Sequence, residues 1–130
     1  MTEAKPFVAV VDDDESVRRA IRRLLRSVGV ASETFKAGEE FLDAFAAPAG
    51  AAPSQRPGCI VLDVQMPGIS GLEVQRRLAG SRIPLIFITA HDEPGVREQA
   101  LAAGAAAYIT KPFNDATLID AVSAAIGVTP

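Results

Sequence analysis

The stretch Ile60-Val61-Leu62-Asp63-Val64-Gln65-Met66-Pro67-Gly68 decides the fold. The apolar run from Cys59 to Leu62 is too short for a helix and reads as a buried strand. It stops at a carboxylate, and Pro67 and Gly68 then break any regular structure, which leaves Asp63 at the C-terminal edge of that strand. In an open parallel α/β sheet this edge is where ligands and chemistry gather. The flanking sequence matters chiefly for what it brings to the same edge.

Upstream, Phe7 to Val11 forms a second apolar run, and it ends in four consecutive carboxylates, Asp12, Asp13, Asp14 and Glu15. Downstream, Pro84 introduces Leu85 to Thr89, the most strand-like run of all, followed by Ala90, His91 and Asp92. Ala106 to Thr110, with Tyr108 inside it, is a short strand leading into Lys111-Pro112-Phe113. Val30 to Phe35 is more polar and is expected at or near a sheet edge.

Helical patterns separate these runs. Val17, Ala20, Ile21, Leu24, Leu25 and Val28 recur at steps of three and four, and Gly29 stops them. Asp14 and Glu15 sit at the start of this helix, where its dipole favours anions, and Arg18, Arg19, Arg22, Arg23 and Arg26 fill the opposite face. Further helices are expected around Glu39 to Ala46, with Phe41, Leu42 and Phe45 inward, and from Ser70 to Leu78. An alanine-rich helix from Pro94 to Ala103 has the poorest anchors and is expected to be the most mobile. Asn114 caps a last helix to Ile126, with Leu118, Ile119 and Val122 inward. Ala47 to Gly58 reads as a loose loop. Five alternating strand–helix units demand a parallel sheet covered on both faces with right-handed crossovers. The expected fold is α/β, flavodoxin-like and doubly wound, with five strands in the order 2-1-3-4-5.

Composition narrows the function. A chain of 130 residues, 48% hydrophobic, is expected to form one domain over residues 1–130 with a single core. A net charge of −3 without a basic tail argues against nucleic-acid binding by this domain alone. No apolar run approaches the ~18 residues of a membrane span, and the first residues lack the layout of a signal peptide. The single Cys59 excludes an intrachain disulfide and reads as a buried core thiol. A cytoplasmic protein is expected.

In a parallel sheet the ends of these strands share one edge, so Asp12, Asp13, Asp63, Thr89 and Lys111 meet in one cleft. Three carboxylates brought together repel, and a hard divalent cation with oxygen ligands, most simply Mg²⁺, resolves that. Lys111 adds a point charge and Thr89 a hydroxyl donor. Such a set describes a site that accepts a phosphoryl group, with an Asp as nucleophile. Each piece alone has a plainer reading: a turn residue, a solvated helix start, a structural threonine. Their joint placement at separate strand ends is what makes coincidence improbable.

The motifs Val11-Asp12-Asp13-Asp14, Leu62-Asp63-Val64-Gln65-Met66-Pro67-Gly68, Ile88-Thr89-Ala90 and Tyr108-Ile109-Thr110-Lys111-Pro112-Phe113 resemble those of the receiver domain of two-component response regulators, across essentially the whole chain. The resemblance implies that Asp63 takes a phosphoryl group from a histidine kinase's phosphohistidine. It implies that Asp13, Asp63 and the carbonyl of Gln65 hold Mg²⁺, with Asp12 acting through a bound water. Thr89 and Lys111 would bind the phosphoryl oxygens, Tyr108 would change rotamer as Thr89 moves, and the peptide before Pro112 would be cis. Gln65 and His91 would tune how long the phosphate survives.

The implied partners are a sensor histidine kinase or phosphotransfer protein, with the arginine face of the first helix as a candidate contact. A weak phosphorylation-dependent homodimer would use the face of the fourth helix, fifth strand and fifth helix, where Arg97, Lys111 and Asp120 are the few charges. The motifs look most similar to receivers joined to helix-turn-helix output domains of the nitrogen-fixation regulator type, although no output domain is expected in this chain. A stand-alone regulator acting by protein binding is the alternative. A phosphatase of the haloacid dehalogenase type is disfavoured, because Gln65 stands where those enzymes carry a second acid. A flavodoxin is disfavoured because Asp12 to Glu15 would repel a flavin phosphate. A receiver that never accepts phosphate is disfavoured by the intact set of site residues.

Overall fold

The computed structural model describes residues 7–45, 56–91 and 93–127. Among them five strands alternate with five helices: β1 (Phe7–Val11), α1 (Glu15–Ser27), β2 (Ala31–Phe35), α2 (Gly38–Phe45), β3 (Cys59–Asp63), α3 (Gly71–Arg77), β4 (Leu85–Thr89), α4 (Pro94–Ala102), β5 (Ala107–Thr110) and α5 (Asp115–Ile126). All strand pairings are parallel and the order is β2-β1-β3-β4-β5, the expected doubly wound, flavodoxin-like arrangement. Element bounds differ from the sequence expectation by about one or two residues, the usual scatter at frayed ends. Most of the loop expected from Ala47 to Gly58 lies outside the described residues, as does Asp92.

Side chains alternate across the sheet and build two cores. Val8, Val10, Cys59, Val61, Ile86, Ile88 and Ile109 face Ile21 and Leu25 of α1 and Leu118 and Val122 of α5. Ala9, Val11, Ile60, Leu62, Phe87 and Tyr108 face the other way, against Phe41 of α2, Val74 of α3 and Ala100 of α4. Strands buried on both faces read as unbroken apolar runs, which is why β1, β3 and β4 stand out in the sequence. β2 pairs only with β1, and its mixed exposure matches its polar composition at the sheet edge.

Three expectations about helix faces need correction. Ala20 is exposed, and Val28, the C-cap of α1, is 47% exposed. The sheet covers α1 only along the line of Ile21 and Leu25, with Val17 and Leu24 at its margins. Ile119 is half-buried and outside the core, because Leu118, Ala121, Val122 and Ala125 already complete the inward stripe of α5.

Hydrogen bonds fix where the helices begin. Asp14 caps α1 by accepting from the Ser16 amide at 2.9 Å, Ser70 caps α3, and Asn114 caps α5 by accepting from the Ala116 amide at 2.8 Å. α4 has Pro94 in its first turn, no side-chain cap, and Ala100 as its one buried residue. Of the five helices it has the fewest buried residues. No described helix is long and apolar enough to cross a membrane.

Candidate functional site

Backbone hydrogen bonds carry the sheet past its strand ends and pin the site residues there. The Asp12 amide donates to the Phe35 carbonyl at 3.1 Å, the Val64 amide to Ile88 at 3.1 Å, and the Lys111 amide to Thr89 at 2.7 Å. Asp63 itself is the last residue of β3, in register with Ile88. Strands β1, β3 and β5 thereby deliver Asp12, Asp63 and Lys111 to one edge.

There Asp12 is fully buried, and all of its oxygens are engaged. Oδ1 accepts from the Asp14 amide at 2.9 Å, Oδ2 from Lys111 Nζ at 2.8 Å, and the main-chain carbonyl from Arg18 at 2.8 Å. Asp63 is 6% exposed; its Oδ1 accepts from the Gln65 amide at 3.3 Å and its Oδ2 lies 3.5 Å from Lys111 Nζ. Asp13 is exposed, and ligand oxygens of Asp12, Asp13 and Asp63 all lie within 4.8 Å of one another. Lys111 is followed by a cis peptide to Pro112, as the resemblance implied.

Burial and charge set the protonation of this cluster. Burial pushes the Asp63 carboxyl up to about 6, the negative charge of Asp12 adds to that, and Lys111 pulls partly the other way. Burial works against the charge on Lys111, yet its hydrogen bond to Asp12 and the charges of Asp12 and Asp63 hold it above its ordinary value. Two buried carboxylates and a third at the rim, served by one lysine, form an oxygen-rich, negatively charged site. A hard divalent cation fits these donors.

The acidic run divides in two. Asp12 and Asp13 belong to the cleft, whereas Asp14 is a helix cap held below the usual carboxylate range by its hydrogen bonds from Ser16. Glu15 forms an exposed pair with Arg19 at 3.2 Å.

The other predicted residues take different positions. Thr89 is fully buried, and its hydroxyl is exchanged within its own loop: it accepts from the His91 amide at 3.1 Å and donates to the His91 carbonyl at 3.0 Å. Tyr108 is buried, its ring 6.4 Å from that of Phe87 and 5.5 Å from the Arg97 guanidinium. Gln65 and His91 are exposed beside the cleft. Burial raises the Cys59 thiol to about 12, so it is an inert core residue at neutral pH. Lys111 is not a charge of the α4–β5–α5 face, as expected from sequence, because Asp12 and Asp63 draw it into the cleft, where its side chain is 17% exposed. Arg18 likewise leaves the solvated stripe of α1 to hold the Asp12 carbonyl. A mainly apolar hollow of about 540 Å³ adjoins Lys111, lined by Val17, Ala20, Ala90, Pro112 and Phe113 among others.

Three side-chain contacts escaped the sequence reading: the local one from Arg18 to the Asp12 carbonyl, and the long-range ones between Glu39 and the Ile69 amide and from Gln75 to the Ala100 carbonyl. None leaves a periodic or motif signal. Only the apolar character of Val64 and Met66 hinted that the loop after Asp63 is packed, and both are buried.

Comparison with known proteins agrees with this geometry. The family model described as the response regulator receiver domain matches residues 8–123. The transcriptional regulatory protein FixJ of Azorhizobium caulinodans is 42% identical over 129 residues, covering 98% of this chain and 57% of that protein. The response regulator protein TodT of Pseudomonas putida is 37% identical over 132 residues, covering 100% of this chain and 55% of that protein. The chain therefore spans about half the length of these curated relatives. A crystal structure of a response regulator receiver protein from Burkholderia phymatum superposes with a TM-score of 0.84 at 64% identity, covering 96% of this chain and 98% of that one.

Proposed function

The chain belongs to the response regulator receiver domain family, and from that membership we propose that Asp63 accepts a phosphoryl group from the phosphohistidine of a sensor histidine kinase or phosphotransfer protein. The observation that carries this reading is the convergence of Asp12, Asp13, Asp63 and Lys111 at one sheet edge. An Asp63 oxygen forms the new bond to phosphorus as the phosphorus–nitrogen bond of the donor breaks, and the imidazole nitrogen keeps the electron pair. A carboxyl that titrates near 6 is ionised at neutral pH, yet its burial beside Asp12 makes that anion unstable and ready to spread its charge onto a phosphoryl group.

Receiver domains generally bind Mg²⁺, and the donor set here fits it. We assign its ligands as Asp13, Asp63 and the Gln65 carbonyl. Asp12, with both carboxylate oxygens already engaged, acts through a bound water. When bound, Mg²⁺ supplies charge neutralisation for the phosphoryl oxygens. Lys111 adds its ammonium to a phosphoryl oxygen, which loosens its hold on the carboxylates.

Thr89 performs the switch. To donate to a phosphoryl oxygen its hydroxyl gives up the His91 carbonyl, which frees the loop into α4. α4 is anchored by Ala100 alone among its buried residues, so the released loop moves it at small cost, and Tyr108 follows between Phe87 and Arg97. The α4–β5–α5 face thus reports phosphorylation, as a weak homodimer or to an output partner. Transcription regulation is the output when the domain is part of a longer regulator like its relatives. The protein acts in the cytoplasm as a signalling acceptor that assists its own phosphorylation and dephosphorylation, not as a turnover enzyme.

Label transfer tests the reading. Incubation with a radiolabelled, autophosphorylated histidine kinase should move phosphate to the chain in a hydroxylamine-labile form, as an acyl phosphate requires. Hydroxylamine-stable label would indicate a hydroxyl ester and reject Asp63 as acceptor.

A further inference from the structure

The loop between Asp63 and α3 carries Gln65, whose amide meets Asp63 and whose carbonyl was assigned above to the cation. Besides the ladder bond from the Val64 amide to Ile88 and the burial of Val64 and Met66, two hydrogen bonds hold this loop. At its far end the Gly71 amide donates to the Val64 carbonyl at 2.8 Å, and a side chain at Gly71 would strike the Asp63 carbonyl. Midway, the Ile69 amide donates to Glu39 Oε2 at 3.2 Å, across from the first turn of α2. The seat for this carboxylate is shaped for it: Gly68 has φ +82°, and a Cβ there would overlap the Glu39 carboxylate.

Glu39 is not occupied with its own helix. Its neighbour Glu40 serves the start of α2, accepting from the Lys36 amide at 3.3 Å. Glu39 instead bonds a residue thirty positions away in sequence. A loop that carries a ligand needs such support, and outer partners of metal ligands typically carry about 10- to 100-fold of the affinity.

We propose that Glu39 is a positioning residue for the cation site, holding the 64–70 loop so that Gln65 stays aligned with Asp63. This rests on the assignment of Mg²⁺ to Asp13, Asp63 and Gln65. A merely structural role would cost stability and leave the site's geometry intact in the folded protein. Calorimetric titration with Mg²⁺ alone, at a temperature where every variant is folded by circular dichroism, separates the two. Glu39→Ala should weaken binding about tenfold, whereas Glu39→Gln, which keeps an acceptor for the Ile69 amide, should stay within about twofold of the wild type. In the metal-free protein, hydrogen exchange at the Gln65 and Ile69 amides should quicken in Glu39→Ala and not in Glu39→Gln. Unchanged Mg²⁺ affinity in Glu39→Ala would overturn the proposal, as would an equal loss in both variants, which would trace the effect to charge. Wild-type protein that takes no Mg²⁺ would overturn the cation assignment itself, and with it the proposal.

Discussion

Replacing Asp63 by asparagine should stabilise the metal-free fold, although it removes the proposed phosphoacceptor. The Asp63 carboxyl rises from an ordinary 3.8 to about 6 through burial and the nearby Asp12 charge. The folded protein therefore binds more protons than the unfolded chain between about pH 4 and pH 6, and stability falls as pH rises through that window. Above it the full penalty of the ionised form is present, on the order of 3 kcal/mol for about two pH units. The asparagine amide keeps the shape of the neutral carboxyl and carries no such penalty. In chelator at pH 8, Asp63→Asn should be more stable by about 2–3 kcal/mol. An unfolding entropy of about 2.1 cal/mol/K per residue converts this, over 130 residues, to a Tm rise of roughly 7–11 °C. The gap should close toward pH 4, and added Mg²⁺ should raise the wild type more than the variant. Thermal and urea unfolding followed by far-UV circular dichroism measure all three. A variant no more stable than wild type at pH 8, or a gap that does not change with pH, would refute the electrostatic account.

Two further substitutions probe the frame of the site. Lys111→Met leaves Asp12 and Asp63 without their cation and should cost about 3 kcal/mol in metal-free buffer at neutral pH, with part of the loss recovered in Mg²⁺; a urea midpoint close to wild type would count against the ion-pair geometry. Gln75→Ala removes the 3.0 Å hydrogen bond from Nε2 to the Ala100 carbonyl, the polar tie between α3 and α4. It should cost about 1–2 kcal/mol and quicken hydrogen exchange in the last turn of α4, and unchanged exchange there would show that packing alone holds the helix.

The sequence declared β1, β3 and β4 because their burial on both faces leaves no polar positions before their last residue: Leu85 to Thr89 is apolar up to its last residue and is β4 to the residue. The convergence of Asp12, Asp13, Asp63 and Lys111 at the sheet edge was equally legible, since a parallel sheet sends every strand end to one side. Polar runs were harder to divide. Asp12 and Asp14 look alike in composition; their order between strand and helix is the one signal that divides them, and the ladder bond from Asp12 to Phe35 and the cap of Asp14 on Ser16 follow that division. The sequence places Lys111 in the cleft, from its position after a strand end, but also on the α4–β5–α5 face, because it does not show that the side chain turns wholly toward two buried carboxylates. Helix periodicity overextended the apolar stripes to Ala20, Val28 and Ile119, because it registers spacing and not the width of the sheet beneath. Glu39 and Gln75 were unreadable, as their partners are set by how α2, α3 and α4 pack.

The central claim is tested most directly by intact mass after incubation with acetyl phosphate, with and without Mg²⁺, for the wild type and Asp63→Asn. A single phosphate adduct on the wild type that requires Mg²⁺ and is absent from the variant is the predicted result. An adduct that persists in Asp63→Asn, or a folded wild type that takes none with Mg²⁺ present, would contradict it.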